Sequence, residues 1–458
     1  MPGCQVWEEL FSGREDFLRA KIFFRFIVLL VLLIFILHGN GDAVDKRSDT
    51  TLPFDAAETK ESALAPPVDE LITEALEKSP AILAVRSRVA ASRELIEPAS
   101  ALPDPELEFS LEENIKSPSS PEFAKGEILL KQEFPFPGKL SVSGKTAGSE
   151  SEMEYASLVD MERQVVKEVR TIYAGLYAFD SETATLAAAR ELVRALEAAA
   201  AKRYSTGEGE QESQLKAQIE LSRLTERMND IAAERAGMAA GLNRLLGRRG
   251  RFPVGKVQDL PSVSISHEDI ESLEELALAN SPAVFIKKAA VKSAEFRLES
   301  AELDFWPDFF AGAGVGFDSE YDPMAVVTFG MTLPVWQNSK QKPLKRAAGH
   351  KLAEARKSLT EAEIGISSEI AGLFARWNRD QEQIRQYRDA IIPQTSAALN
   401  SARASYISGR ADFSVVIEDY NLWLDALAQL ARRESDKFIS WAGIDAYTAP
   451  FPLNKSVD

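Results

Sequence analysis

His38, His267 and His350, with Cys4, are the only imidazoles and thiol in this 458-residue chain. They are too scattered to form a zinc or copper motif, and a lone cysteine excludes a disulfide framework within one chain. HExxH, a phosphate-binding P-loop and GxSxG are all missing. GAGVGF at 312–317 echoes a dinucleotide loop, but no strand–turn–helix context follows it. A strand packed with small residues is the better account. Without a nucleophile–base pair or a metal cluster, the chain reads as a non-enzyme that needs no cofactor. A net charge of −17, from 70 acidic and 53 basic residues, argues against nucleic acid as a partner. The one regular placement of ionisable groups is in PELEFSLEEN. There Glu106, Glu108 and Glu112 alternate with Leu107, Phe109 and Leu111, so carboxylates and apolar groups take opposite faces of a strand.

Such a strand needs something to hold it. The N-terminus offers Arg19, Lys21 and Arg25, then the apolar run FIVLLVLLIFIL at 26–37, short against the ~20 residues of a membrane-spanning helix. With Gly41 and Ala43 at the −3 and −1 positions, residues 1–43 read as a cleaved secretory signal; an uncleaved anchor is the alternative. Cys4 precedes the apolar run, so it is not a lipobox cysteine. Residues 44–67 read as a flexible leader. Helical periodicity begins at Val68 and restarts at Ser79-Pro80, serine as N-cap and proline at the first helical position. Two strands follow, around 106–114 and 126–134. From Gly138 a helical pattern runs to Tyr204, a span that would be ~100 Å long if continuous. The turn RYSTGEGEQES and a returning helix to LNRLLG close this first repeat, residues 68–249, and 250–267 form a linker.

The order then recurs over 268–447, leaving 448–458 as a tail. Ser281-Pro282 stands 202 residues after Ser79-Pro80. Leu158, Met161, Val165, Val169, Ile172 and Leu176 are matched, 201 residues on, by Leu359, Ala362, Ile366, Ile370, Leu373 and Trp377. Tyr204 and Gly207 return as Tyr406 and Gly409, and the chain is an internal duplication. Pro393, inside the second long helix, reads as a tolerated kink. At each strand-to-helix corner prolines recur: Pro135, Pro137 and Gly138 first, then Pro334. Proline ends ladder bonding there and fixes the exit direction. Four amphipathic strands cannot close a barrel, whereas about twelve from three copies can. The expected fold is therefore mainly α with paired β-hairpins. It is a duplicated protomer of long coiled-coil helices that completes a 12-stranded barrel and a helical tube as a homotrimer.

QEFPFPGK, LNRLLGR, YRDAIIPQTSAALNSARASYISGRADFSVV and the duplicated plan resemble the TolC-like outer-membrane efflux protein family, in its cobalt–zinc–cadmium/copper cation-efflux branch. The resemblance spans about residues 66–447. It implies a trimeric exit duct among outer-membrane lipid, reaching through the periplasm to a periplasmic adaptor and an inner-membrane pump. It also implies that the turns from Tyr204 to Gly209 and from Tyr406 to Asp412 are the tips, with Gly207 and Gly409 as the tip glycines where an adaptor docks. Asp412 and Glu418, with Arg410 as their tether, would narrow the closed pore; solvated charges at a helix start are the alternative. The acidic GEGEQES departs from the family's apolar residue after the first tip glycine. Whether the cargo is metal, drug or protein stays open, as does a periplasmic coiled-coil scaffold in place of a duct.

Overall fold

The computed structural model describes residues 64–114, 122–207, 209–265, 269–318 and 322–452. The signal segment, most of the leader, the Ser/Pro-rich hairpin loop, His267 and the last six residues lie outside them. Helices α1 (Val68–Lys78), α2 (Pro80–Glu94) and α3 (Ile96–Ser100) lead into strands β1 (Glu106–Asn114) and β2 (Glu122–Phe134). The 67-residue α4 (Lys139–Ser205) descends and α5 (Gln211–Leu245) returns. The second half repeats the plan with α6 (Ile270–Asn280), α7 (Pro282–Leu303), β3 (Asp308–Asp318) and β4 (Met324–Thr332). A long helix follows as α8 (Gln341–Gln386), a π-helical turn (Tyr387–Ile391) and α9 (Ile392–Ile407), and α10 (Phe413–Thr448) comes back.

The 3-4 seam read from the sequence is the buried stripe of both long helices. Leu158, Val165, Val169 and Leu176 sit in the core of the first repeat with Ile82, Val89 and Leu242. Ile366, Ile370 and Leu373 pack with Leu273, Ala277 and Val284 in the second. A third cluster joins the repeats where α4 and α9 meet the returning helices α5 and α10, around Leu196, Leu224, Tyr406, Phe413 and Tyr420. A helix of this length holds its seam by such packing, not by propensity.

Two details depart from the sequence reading. Ser79 and Ser281 stand at the expected helix starts, each before its proline, but neither side chain caps its helix. Their carbonyls accept the first helical N–H groups instead, from Leu83 and Phe285, and the Ser281 hydroxyl is buried without a partner. The second long helix is also not a plain kinked α-helix at Pro393. Proline lacks the N–H that the preceding turn would use, and one extra residue is taken up there. Ile392 N–H accordingly bonds to the carbonyl of Tyr387, five residues back. Glu434 of α10 pins this turn. It pairs with Arg388 and accepts the Tyr177 hydroxyl of α4 at 2.5 Å. Burial, then this carboxylate, raises the Tyr177 pKa.

Charged groups stitch the repeats together partway along the long helices. Glu182 accepts from Arg227 at 2.8 Å and from Arg432 of the second repeat at 3.3 Å. Asp380, fully buried, lies 2.7 Å from Arg379 and 3.4 Å from Arg433. Nearby Asp436 has its pKa raised, by burial first and then by Asp380. A carboxyl whose pKa is higher folded than unfolded loses stability as pH rises through that range, and gains it on acidification. Asp436→Asn should therefore raise the melting temperature at neutral pH and flatten its pH dependence just above the ordinary carboxylate range. An unchanged pH slope would remove Asp436 from the account.

Candidate functional site

The four strands form one antiparallel sheet in the order β1-β2-β3-β4. Register sorts its faces, with Gln132 as the polar exception on the first and Leu129, Phe310, Met324 and Val326 as apolar ones on the second. Leu107 pairs with Leu130, Phe109 with Ile128, Ile128 with Val315, Phe134 with Phe309, Ala311 with Phe329 and Ala313 with Val327. These positions make a continuous apolar face, with Phe329 78% and Leu111 71% exposed. The other face carries Glu106, Glu108, Glu127, Lys131, Glu133 and Thr328, with a row of glycines at 312, 314 and 316. GAGVGF is thus strand, and its glycines let neighbours lie across it. A Cβ on Gly314 would fall 2.0 Å from the carbonyl oxygen of Ile128. Among the described residues the outer edges of β1 and β4 have no partner strand.

The first corner is built from both repeats. Past Pro135 and Pro137, Gly138 adopts φ 103°, a left-handed conformation that other residues resist, and starts α4. The lock is Asp308, the first residue of β3. Its carboxylate accepts the Phe136 N–H at 2.7 Å and the Lys139 ammonium at 2.9 Å. Trp306 stacks on Phe136 at 5.1 Å. At the second corner, after half-buried Pro334, Val335 N–H bonds to Leu333 O in a tight turn and Trp336 stands exposed. Sequence reading named the prolines and missed Asp308, Lys139 and Trp306; FWPD at a helix end was the available signal. Two charge-assisted bonds meet at Asp308, so Asp308→Ala should cost about 1.5–3 kcal/mol. Thermal unfolding of the purified protein checks this, and a loss within ±0.5 kcal/mol would make the lock cosmetic.

Both tips are helix ends closed by a left-handed glycine. Gly207 has φ 75° and Gly409 φ 72°. At the second tip Gly409 N–H bonds to Tyr406 O and Arg410 N–H to Ser405 O, the paired bonds of a Schellman cap. At the first, Gly207 N–H bonds to Tyr204 O in the same way. The equivalent tyrosines differ in setting. Tyr204 is exposed, whereas Tyr406 is buried edge-on to Phe413 at 5.4 Å. Arg203 lies over the Tyr406 ring at 4.9 Å and donates to the Tyr406 carbonyl, tying the first tip to the second. Lys216 reaches Ser414 at 2.8 Å beside it. Arg203 carries no sequence signal of its own, because its partner lies 203 residues away.

Asp412 is the exposed N-cap position of α10, its side chain making no cap bond, and Glu418 is exposed on the second turn. Arg410 pairs with neither within the protomer. Its Nε donates to Ser408 Oγ at 2.9 Å, an acceptor two residues back across the glycine turn. The structure therefore brings Asp412, Arg410 and Gly409 to one tip, with no intrachain tether. Among the described residues no group of three or more His, Cys, Asp or Glu is placed to hold a metal ion. Among them, too, no helix is long and apolar enough to cross a membrane.

Residues 71–248 match the family model described as Outer membrane efflux protein. Solved structures share the fold over most of the chain. The outer-membrane channel OprN aligns at 16% identity and TM-score 0.74, over 85% of this chain and 93% of its own. VceC from Vibrio cholerae aligns at 19% and 0.71, over 84% and 96%. CusC, whose structures concern folding and transmembrane channel formation, aligns at 15% and 0.72, over 84% and 92%. No curated protein matches the sequence. The fold is that of the TolC-like outer-membrane efflux channels.

Proposed function

We propose that the chain is one protomer of an outer-membrane exit duct, a passive channel through which a periplasmic adaptor and an inner-membrane pump discharge their cargo. The observation that carries this reading is the sheet. Among the described residues it has one largely apolar face, one face that carries the carboxylates and two unpaired edges, an arrangement that satisfies its backbone in lipid when three copies close a barrel. The strands are 9–13 residues long, enough to span the hydrocarbon when tilted. In that barrel the glutamates of β1 face water, and the helices continue the lumen into the periplasm. The pump supplies the energy, and the duct supplies a continuous aqueous path. Adaptor hairpins dock at Tyr204–Gly207 and Tyr406–Gly409, where exposed Tyr204 is the larger contact. Metal cations are the cargo class that the cation-efflux resemblance favours. Export follows cleavage of residues 1–43.

Membrane fractionation with mass measurement in detergent tests the reading. A trimer extracted from the outer membrane supports it. A soluble periplasmic monomer would instead make the chain a coiled-coil scaffold. Co-purification with a peptide-secreting pump would move the cargo class to proteins and leave the duct intact.

A further inference from the structure

A groove of about 1080 Å³ runs along α4 between α2–α3 and α7, at the upper size of small-molecule sites. Its walls are Phe285 and Phe296 of α7, Tyr155 of α4 and Phe451, which follows the last helix. Phe451 stacks on Phe285 at 4.0 Å and meets Tyr155 edge-on at 6.3 Å. Tyr155 in turn donates to Pro452 O at 3.1 Å, and Phe451 N–H reaches Asn280 at 3.3 Å, so the C-terminal segment is seated as a wall. In a chain of net charge −17 this groove is locally cationic. Arg93, Lys145, Lys288 and Lys292 line it, with Glu152 as the one carboxylate. Glu152 is taken by Lys292 at 3.1 Å. Lys145 and Lys288 make no ion pair among the described residues. They lie instead over Phe296 and Phe285, at 5.8 and 5.7 Å from the ring centroids. A Cβ placed on Gly148, in the groove floor, would meet nothing within 4 Å. Both flanks of α4 in the groove belong to the same protomer.

We infer that this groove is a binding site for a single-chain amphipathic anion, held with its acidic head on Lys145 and Lys288 and its apolar body along Phe285, Phe296 and Phe451. Two ammonium groups without carboxylates supply the charge complement, and the aromatic wall supplies the apolar one. Along α4 the groove runs from ~9 to ~24 Å beyond the strand-to-helix corner, at 1.5 Å per residue. The site is separate from the duct and stands whether or not the duct reading does. A lipid-derived phosphate and a free aromatic sulfonate or carboxylate share the required chemistry.

The test uses the full-length protein exchanged into a non-ionic amphipol, since detergents and anionic amphipols compete for such a groove. Dodecyl phosphate and 1-anilinonaphthalene-8-sulfonate are titrated by calorimetry and fluorescence, with dodecyl maltoside as the neutral control. Expected are saturable binding of both anions, mutual displacement, and at least tenfold weaker binding of the maltoside. Lys145→Gln with Lys288→Gln should weaken both anions at least tenfold, and the double arginine variant should restore them. Gly148→Phe should abolish saturable binding with circular dichroism and assembly unchanged, because a Cβ there meets nothing within 4 Å and the ring extends into the open groove. Tighter dodecyl phosphate supports a lipid source, and tighter sulfonate supports a soluble organic anion. Equal affinity for neutral and anionic chains, or unaltered binding in the glutamine variant, would overturn the inference.

Discussion

Phe329→Arg should all but eliminate the assembled trimer, while Thr328→Arg, one residue away, should leave most of it intact. Phe329 is 78% exposed on the apolar face, beside Val327 and Met331 and in register with Ala311. In a closed barrel that face meets lipid, where arginine near the bilayer midplane costs ~2–4 kcal/mol. Threefold assembly presents that cost three times per channel. Thr328 points to the opposite face and pairs with Gly312, which has no side chain to obstruct a guanidinium. Water and the glutamates of that face would solvate it. The readout is the fraction of detergent-extracted protein that runs as a trimer, against folded monomer measured by circular dichroism. Equal loss in the two variants would mean that the two faces are not lipid and lumen. Retention of both would mean that the sheet does not face a membrane.

The faces used in that experiment could be read from sequence because period two in PELEFSLEEN and MAVVTFGMT is local information. The seam from Leu158 to Leu176, and its copy from Leu359 to Trp377, was equally local, and duplication let each repeat check the other. What stayed hidden was set by partners far along the chain. Asp308 looks like any acidic residue after a proline until the fold puts it against Phe136, 172 residues earlier. Tyr204 and Tyr406 are the same residue in the same repeat position, yet one is exposed and the other buried. The duplication could not reveal that difference, because it comes from Arg203 and Phe413 covering only the second tip. The π-turn before Pro393 was partly legible: proline announced a fault in the helix, but periodicity does not say whether a kink or an inserted residue absorbs it. Pairing and insertion are tertiary choices, whereas period and turn chemistry are not.

Removing the charge at the second tip, as Asp412→Asn with Glu418→Gln, should turn a cation-selective closed channel into a weakly selective one. In a threefold assembly with the tips at the pore axis, each carboxylate makes a ring of three. Such rings concentrate cations, and their effect fades as salt screens it. Both side chains are exposed and neither is neutralised by Arg410, which bonds to Ser408, so the full charge is available to the pore. Arg410→Ala should accordingly change little, in keeping with the ~0–1 kcal/mol of exposed ion pairs. Arg203→Ala is the informative contrast. It removes both the cation–π contact and the cap on the Tyr406 carbonyl, which together hold the second tip to the first. That variant should raise the open fraction without altering selectivity. Single-channel recording in planar bilayers separates the two effects, since one appears in the reversal potential and the other in the dwell times. If the double amide variant keeps wild-type selectivity and divalent block, Asp412 and Glu418 are solvated charges at a helix start. If Arg203→Ala gates as the wild type does, the two tips move apart by some route that does not break the Arg203–Tyr406 contact.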